Sequence, residues 1–282
     1  MEVYPLSHES HLPYILRVNQ IDGHYPAHRH NFLEFSFITE GEGKEIINGQ
    51  EHQLKYGTFT LLLPYQVHEI YANPQKPLKI YNCNLELEIF FGLGKISEEL
   101  NEMIFNTKED LPSHVQLKPE AAQKIEGIIG QMLAETKQPR LWNYLLFKVK
   151  LIELFIIFDR QRRRQLPKYQ KSEKKSRGHI LMWKIVFYLH QHYQENITLY
   201  NTAHRFGISY SHLSTIFKEY FGQTFHSFLN DIRIKHACAL LSFTTMKIID
   251  IANEVGFNSY PTFSRVFQQL KGISASEYRQ QG

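Results

Sequence analysis

Residues 202–228 read TAHRFGISYSHLSTIFKEYFGQTFHSF, and residues 251–278 read IANEVGFNSYPTFSRVFQQLKGISASEY. The second stretch repeats the first. Ala203 aligns with Ala252 and Gly207 with Gly256 at an offset of 49. Leu213 aligns with Phe263, Ile216 with Val266, Phe217 with Phe267 and Gly222 with Gly272 at an offset of 50. The one-residue slip falls in a turn. Each copy has a small residue that lets two helices cross closely, then a glycine suited to close a helix with positive φ. An apolar residue (Ile208, Phe257) follows to bury the turn, then a polar N-cap: Ser209 in the first copy, Asn258 or Ser259 in the second. The next helix carries apolar residues at i, i+3 and i+4, and Pro261 falls in a first turn, where proline is tolerated. This is a helix-turn-helix written twice, with Thr224–Phe243 as a connecting helix and a polar helix face free to enter a major groove.

Charge agrees with that reading. The net charge of +4 over 282 residues hides a division. Residues 1–159 hold 14 Lys+Arg against 21 Asp+Glu, a net of −7, and residues 160–282 hold 18 against 7, a net of +11. A basic half suits a polyanion such as double-stranded DNA, and an acidic half does not. At 43% hydrophobic residues the chain is a folded one.

Residues 180–282 resemble the DNA-binding domain of the AraC family of bacterial transcription regulators. The resemblance rests on Ile197-Thr198-Leu199, Ala203, Gly207, Ser209, Leu213, Phe217, Gly222, Leu229, Arg233, Ala237, Leu240-Leu241, Ile248, Ile251-Ala252, Gly256-Phe257, Phe263, Arg265, Phe267, Gly272 and Tyr278-Arg279. It departs at Ala275, where the family usually has proline, which is expected to loosen that loop. The family implies two helix-turn-helix units on one scaffold, RNA polymerase as a partner and a cytoplasmic location. On the exposed faces, the expected DNA-contacting residues are Tyr210, Ser211, Ser214, Thr215 and Lys218 on the first reading helix. On the second they are Ser259, Tyr260, Thr262, Ser264 and Arg265. Arg265 has the geometry for a bidentate contact to guanine, with phosphate or ion-pair contact as the alternative. His212 and Arg205 are expected to face phosphate, and Arg233 to serve as scaffold or phosphate contact.

Upstream, Phe32–Ile38, Lys44–Ile47, Thr58–Leu63 and Leu78–Leu87 read as short strands. The turns between them include Asn48-Gly49, a strong hairpin signal. Many closely spaced strands predict a barrel or sandwich. Two helices follow, Pro119–Glu135 and Leu141–Phe158. The second is apolar almost all round, so it needs partners on more than one side, and a homodimer supplies one. Its charged residues and length argue against a membrane span. The first residues lack a basic n-region and an apolar h-region, so no signal peptide is expected. Cys83 and Cys238 read as reduced thiols.

The expected architecture is multidomain α+β. Residues 1–100 form a cupin-like effector-binding barrel, 101–159 a helical dimerisation region, 160–178 a solvated basic linker, and 179–282 an all-α double helix-turn-helix. Within the barrel, His28, His30, Glu34 and, further on, His68 resemble the cupin pattern of converging histidines and a carboxylate. Such a set suits a divalent transition metal. The second motif is one residue short of the enzyme-type pattern and lacks its glycine. The expectation is therefore no cofactor, with these residues lining a polar pocket and a divalent metal as the alternative. His28, His30, Glu34, Phe35, Phe37, Tyr65, His68 and Tyr81 are the expected pocket residues, with Tyr14 as a further aromatic candidate. The layout of Tyr81–Leu100 resembles the rhamnose-operon regulators, which implies a sugar effector. The reading is an effector-responsive activator of carbohydrate-use genes, not an enzyme. Two alternatives stand beside it: a metal-dependent cupin enzyme with an accessory DNA-binding domain, and a ligand-independent stress regulator.

Overall fold

The computed structural model describes residues 3–4, 12–90, 95–104, 111–138, 140–165 and 175–281. The chain divides into two compact units, Met1–Ser176 and Arg177–Gly282.

Among its described residues the first unit holds ten strands: β1 (Val3–Tyr4), β2 (Tyr14–Ile21), β3 (His24–His30), β4 (Leu33–Glu40), β5 (Glu42–Ile47), β6 (Gln50–Lys55), β7 (Thr58–Leu62), β8 (His68–Ala72), β9 (Leu78–Leu85) and β10 (His114–Gln116). They form two five-stranded sheets, in the orders β1-β3-β8-β5-β6 and β10-β7-β4-β9-β2. All pairings are antiparallel except the short β1–β3 contact. This is the cupin-like architecture. The Asn48-Gly49 signal produces a two-residue hairpin: both residues have positive φ (50° and 83°), and Ile47 pairs with Gln50 across it.

Along β4 the side chains alternate between two environments. Leu33, Phe35 and Phe37 point to one face, and Glu34 and Ser36 to the other. The first face is covered by helix. After α1 (Lys95–Ile104), the chain forms α2 (Pro119–Lys137) and α3 (Asn143–Arg164). Phe147, Leu151, Leu154, Phe155 and Phe158 of α3 are buried. Phe155 meets Phe35 edge-on at 6.2 Å between ring centroids, Phe158 meets Phe59 at 5.0 Å, and Phe147 stacks on Tyr14 at 3.5 Å. Each such aromatic contact adds about 0.5–1.5 kcal/mol beyond area burial.

Three expectations about boundaries are corrected. The region 101–159 is not wholly helical, because β10 lies inside it and pairs with β7. Three residues carry no readable periodicity. The basic run is not a free tether from residue 160, because α3 continues through Arg164. Asp159 draws the charges back onto the helix: Arg162 Nε donates to it at 2.9 Å and Arg163 Nε at 2.6 Å, while the Arg162 guanidinium lies over the Phe158 ring. Helix α4 (Lys175–His192) begins before residue 178, and residues 166–174 lie outside the described residues. Finally, β9 stops at Leu85, and Leu87–Phe90 form a 3₁₀ turn.

The second unit is helical: α4, α5 (Leu199–Arg205), α6 (Tyr210–Phe221), α7 (Phe225–Phe243), α8 (Ile248–Glu254), α9 (Tyr260–Lys271) and α10 (Ala275–Gln281). Side-chain caps set the starts of α5, α6, α7 and α9. Thr198, Ser209, Thr224 and Ser259 each accept a hydrogen bond from the backbone N–H three residues on. The second copy's cap is therefore Ser259, not Asn258. At Ala275 no proline is needed. Ser274 Oγ accepts from the Glu277 N–H (3.2 Å), and a Glu277 carboxylate oxygen accepts from the Ser274 N–H (2.7 Å), a reciprocal capping box. Cys83 and Cys238 are both free and buried. No helix among the described residues is long and apolar enough to cross a membrane.

Candidate functional site

The two helix-turn-helix copies close alike. Gly207 and Gly256 have φ of +68° and +89°. Behind each glycine the next N–H reaches back five residues, from Ile208 to the Ala203 carbonyl (3.0 Å) and from Phe257 to the Ala252 carbonyl (2.9 Å). These turns hold α5 against α6 and α8 against α9. The apolar rows then face inward: Leu213, Phe217 and Phe221 on α6, and Phe263, Val266 and Phe267 on α9, are buried.

The outward faces are polar. Tyr210, Ser211, Ser214, Thr215 and Lys218 are all exposed, as are Ser259, Tyr260, Thr262 and Arg265, with Ser264 half-buried. Ser259 is also occupied as the cap, its Oγ 2.8 Å from Thr262 Oγ1. Tyr260, Pro261, Ser264, Arg265, Gln268 and Gln269 line an open cleft along α9. The two glutamines extend this exposed polar face beyond the residues expected from the sequence. Their signal was present, since both sit on the helix face opposite Phe263 and Phe267, and a glutamine can make a bidentate contact to adenine. Arg205 is exposed, with its guanidinium over the Tyr188 ring. Arg233 is scaffold: its Nε donates to the Tyr193 carbonyl (2.8 Å) and its Nη2 to the Glu195 carbonyl (2.9 Å).

In the first unit, a second cluster occupies the space between the sheets. His30, Glu34, Glu45, His52, Thr60 and His68 are all buried. Glu45 is its hub. His68 Nδ1 lies 3.1 Å from one Glu45 oxygen; His52 Nε2 and Thr60 Oγ1 each lie 3.2 Å from the other. Burial opposes charge on Glu45, yet the hydrogen bonds from His52 and His68 overcome it and hold the carboxyl down at about 2. Burial also opposes protonation of His68. The hydrogen bond to Glu45 and the charges of Glu34 and Glu45 outweigh it, so this ring titrates above the ordinary histidine value. Burial drives His30 down to about 3, with His68 adding to the effect, so His30 is neutral. Burial raises the Glu34 carboxyl. His114 stacks on His52 at 3.8 Å and is lowered to about 4, mainly by burial.

His30, Glu34 and His68 each offer one donor atom, and these three atoms lie within 4.8 Å of one another. His28 is not in that set. Its Nδ1 donates to the Pro26 carbonyl at 2.9 Å, and its ring lies 4.1 Å from that of His68. Tyr65 is adjacent: with φ +64°, its N–H donates to the His30 carbonyl at 2.7 Å.

Phe35, Phe37, Tyr81 and Tyr14 do not share this space, contrary to expectation. Phe35 and Phe37 are fully buried on the other face of β4, and Tyr81, paired across from Phe37, belongs to that face. Tyr14 packs on α3. The period-two alternation of a strand sends neighbours to opposite sides, and Glu34 already claims the inner side. Sequence reasoning missed Glu45, His52, Thr60 and His114. Glu45 left one trace, an acid between Gly43 and Ile47 on the inward-facing set of β5.

Comparison with known proteins follows these two sites. Residues 13–145 match the family described as an AraC-like ligand binding domain, and residues 202–281 match a helix-turn-helix domain family. The transcriptional activator RhaS of Mannheimia succiniciproducens is 24% identical over 95% of this chain and 94% of its own length. RhaR of Yersinia pseudotuberculosis, also a transcriptional activator, is 24% identical over 91% and 85%. Among solved structures, ToxT from Vibrio cholerae is 16% identical, spans 95% of this chain and 98% of its own, and has a TM-score of 0.44.

Proposed function

Because this chain belongs to the AraC family of DNA-binding transcription regulators, we propose that it is a homodimeric activator of carbohydrate-use genes, switched by a sugar held between the two sheets. The observation that carries the regulatory reading is the pair of reading helices, α6 and α9. Each has its apolar row buried and its polar face exposed on matched Gly-closed turns. Relatives named as transcriptional activators RhaS and RhaR support the activator assignment, and with it a partnership with RNA polymerase in the cytoplasm. The buried hydrogen-bonding groups around Glu34, Glu45 and Thr60 support a polar effector. Sugar sites need such donors and acceptors, because each buried hydroxyl left unpaired costs about 1–3 kcal/mol.

The effector reading is tested by thermal shift over pentoses, deoxyhexoses, disaccharides and amino acids. A true effector at 100 times its Kd stabilises the folded chain by about 2.7 kcal/mol. Stabilisation by an amino acid and by no sugar would remove the sugar assignment.

We read Tyr210, Ser211, Ser214, Thr215, Lys218, Ser259, Tyr260, Thr262, Ser264 and Arg265 as the DNA-contacting set. Within it, Arg265→Ala is expected to relax base preference at one position of the selected site, a loss of about 1–3 kcal/mol of discrimination. Lys218→Ala is expected to weaken binding to all sequences alike and to lower the salt slope by about 1. Binding-site selection followed by salt titration reads both. An unchanged selected-site pattern for Arg265→Ala would leave Arg265 as a phosphate contact.

A further inference from the structure

We propose that His30 Nε2, Glu34 Oε2 and His68 Nε2 form a three-ligand site for a divalent transition metal, with Glu45 as the residue that aims His68 at it.

Proton placement carries the argument. His30 Nδ1 lies 2.8 Å from the Phe32 carbonyl oxygen, which can only accept. That nitrogen therefore bears the proton, and the lone pair of the neutral ring is on Nε2. Nε2 is buried, has no hydrogen-bond partner among the described residues, and sits 3.4 Å from Glu34 Oε2. A lone pair thus faces a carboxylate oxygen. His68 Nδ1 faces Glu45 Oε1 at 3.1 Å, so Nδ1 is a donor, and its buried Nε2, which has no hydrogen-bond partner among the described residues, is the atom free to exchange a proton for a metal ion. Glu34 Oε1 accepts from Asn82 Nδ2 at 2.9 Å, which leaves Oε2 for the cluster.

One ligand atom from each of the three residues therefore lies within 4.8 Å of the others in a buried place. Lone pairs at this spacing need a positive charge among them, either a shared proton or a metal ion. One proton relieves one pair of them, and a dipositive ion relieves all three. The spacing fits. Two ligands about 2.05 Å from a tetrahedral metal lie about 3.3 Å apart, and His30 Nε2 and Glu34 Oε2 are 3.4 Å apart. Two imidazoles with one carboxylate select zinc, cobalt, nickel or copper over magnesium and calcium, which take oxygen sets. The Phe32 carbonyl and the Glu45 carboxylate supply the outer hydrogen bonds that metal-bound histidines use. Three protein ligands leave a coordination position open for an oxygen of a small molecule. The assignment does not depend on the regulatory reading: metal binding with no effect on DNA binding leaves it intact.

The test uses the full chain, purified without a histidine tag and stripped with chelator. Titration with Co²⁺ is expected to give a saturable visible absorption band at one equivalent. His68→Asn and Glu34→Gln are each expected to weaken binding at least 10-fold. Glu45→Gln touches no metal but loosens the tautomer of His68, and is expected to shift the band and weaken binding 10- to 100-fold. His28→Ala is expected to retain the band. Circular dichroism checks that each variant folds, and Glu34→Gln, which keeps side-chain volume, covers the case in which His68→Asn does not. No stoichiometric band in the wild-type chain overturns the proposal. So does a band unchanged in folded Glu34→Gln.

Discussion

Gly256→Ala is expected to destabilise the DNA-binding unit by about 2–4 kcal/mol, while Gly207→Ala, at the matching position of the other copy, is expected to cost about 1 kcal/mol. Both glycines have positive φ, so both substitutions meet the left-handed penalty. The surroundings differ. A Cβ on Gly207 meets nothing within 4 Å. A Cβ on Gly256 would lie 2.7 Å from the Tyr193 carbonyl oxygen and 2.8 Å from that of Gln194. Those oxygens belong to the chain just past α4, and it is not free to retreat, because Arg233 ties the Tyr193 and Glu195 carbonyls to α7. At about 4–8 °C per kcal/mol for a domain of this size, the calorimetric transition of this unit should fall by about 8 °C or more for Gly256→Ala. Equal shifts for the two variants would show that the close approach is not rigid.

The second large effect is expected on α3. Its buried residues face the sheet, and a separate row is left over: Leu145, Val149, Ile152 and Ile156. The first two are exposed at 55% each, and the last two are half-buried. The spacing of 4, 3, 4 is that of a coiled-coil seam, so a second copy of the same helix is the fitting cover. If the proposed dimer uses this row, the double substitution Leu145→Asp/Val149→Asp is expected to leave a monomer in sedimentation where the wild-type chain is a dimer. It is also expected to lower affinity for a two-half-site DNA about 100-fold or more, the share that linkage of two binding events contributes. Affinity for a single half-site should stay at the wild-type value, because both positions are surface positions and their loss leaves the core intact. A variant that sediments as a dimer would remove this face from the interface.

How far the sequence could be read differs between the two units. In the DNA-binding unit, contacts are local. A helix start is set by a residue three positions away, as with Ser209 and His212, and a helix end by a glycine and the next residue. Repetition of the pattern 49–50 residues on then confirms each assignment. The helix faces followed, so the exposed positions on α6 and α9 could be named in advance. What local reading lost there was long-range: the approach of Gly256 to the Tyr193 and Gln194 carbonyls joins segments some 60 residues apart.

In the sheet unit the balance reverses. The Asn48-Gly49 hairpin is local and was legible. So were His30, Glu34 and His68, because a motif brought them to notice. Phe35, Phe37 and Tyr81 were misplaced, because a type of residue does not say which face of its strand is inner. Residue-by-residue alternation allows only one answer once Glu34 is placed, and the register between β4 and β9 then decides for Tyr81. Glu45 was missed although the hairpin sets His52 directly across from it; only the pairing of β8 with β5, from further along the chain, brings His68 to it as well.

The amino-acid sequence by itself determined the double helix-turn-helix unit, its exposed polar faces, the presence of a β-rich partner unit and the apolar excess of α3, since all four are written in short-range periodicity and capping. The tertiary structure alone decided which histidines share a centre, which carboxylate orients His68, and which apolar row of α3 remains uncovered. Those depend on strand register and sheet-to-helix packing, in which atoms far apart in sequence come within 3–4 Å of one another, a distance that no local pattern encodes.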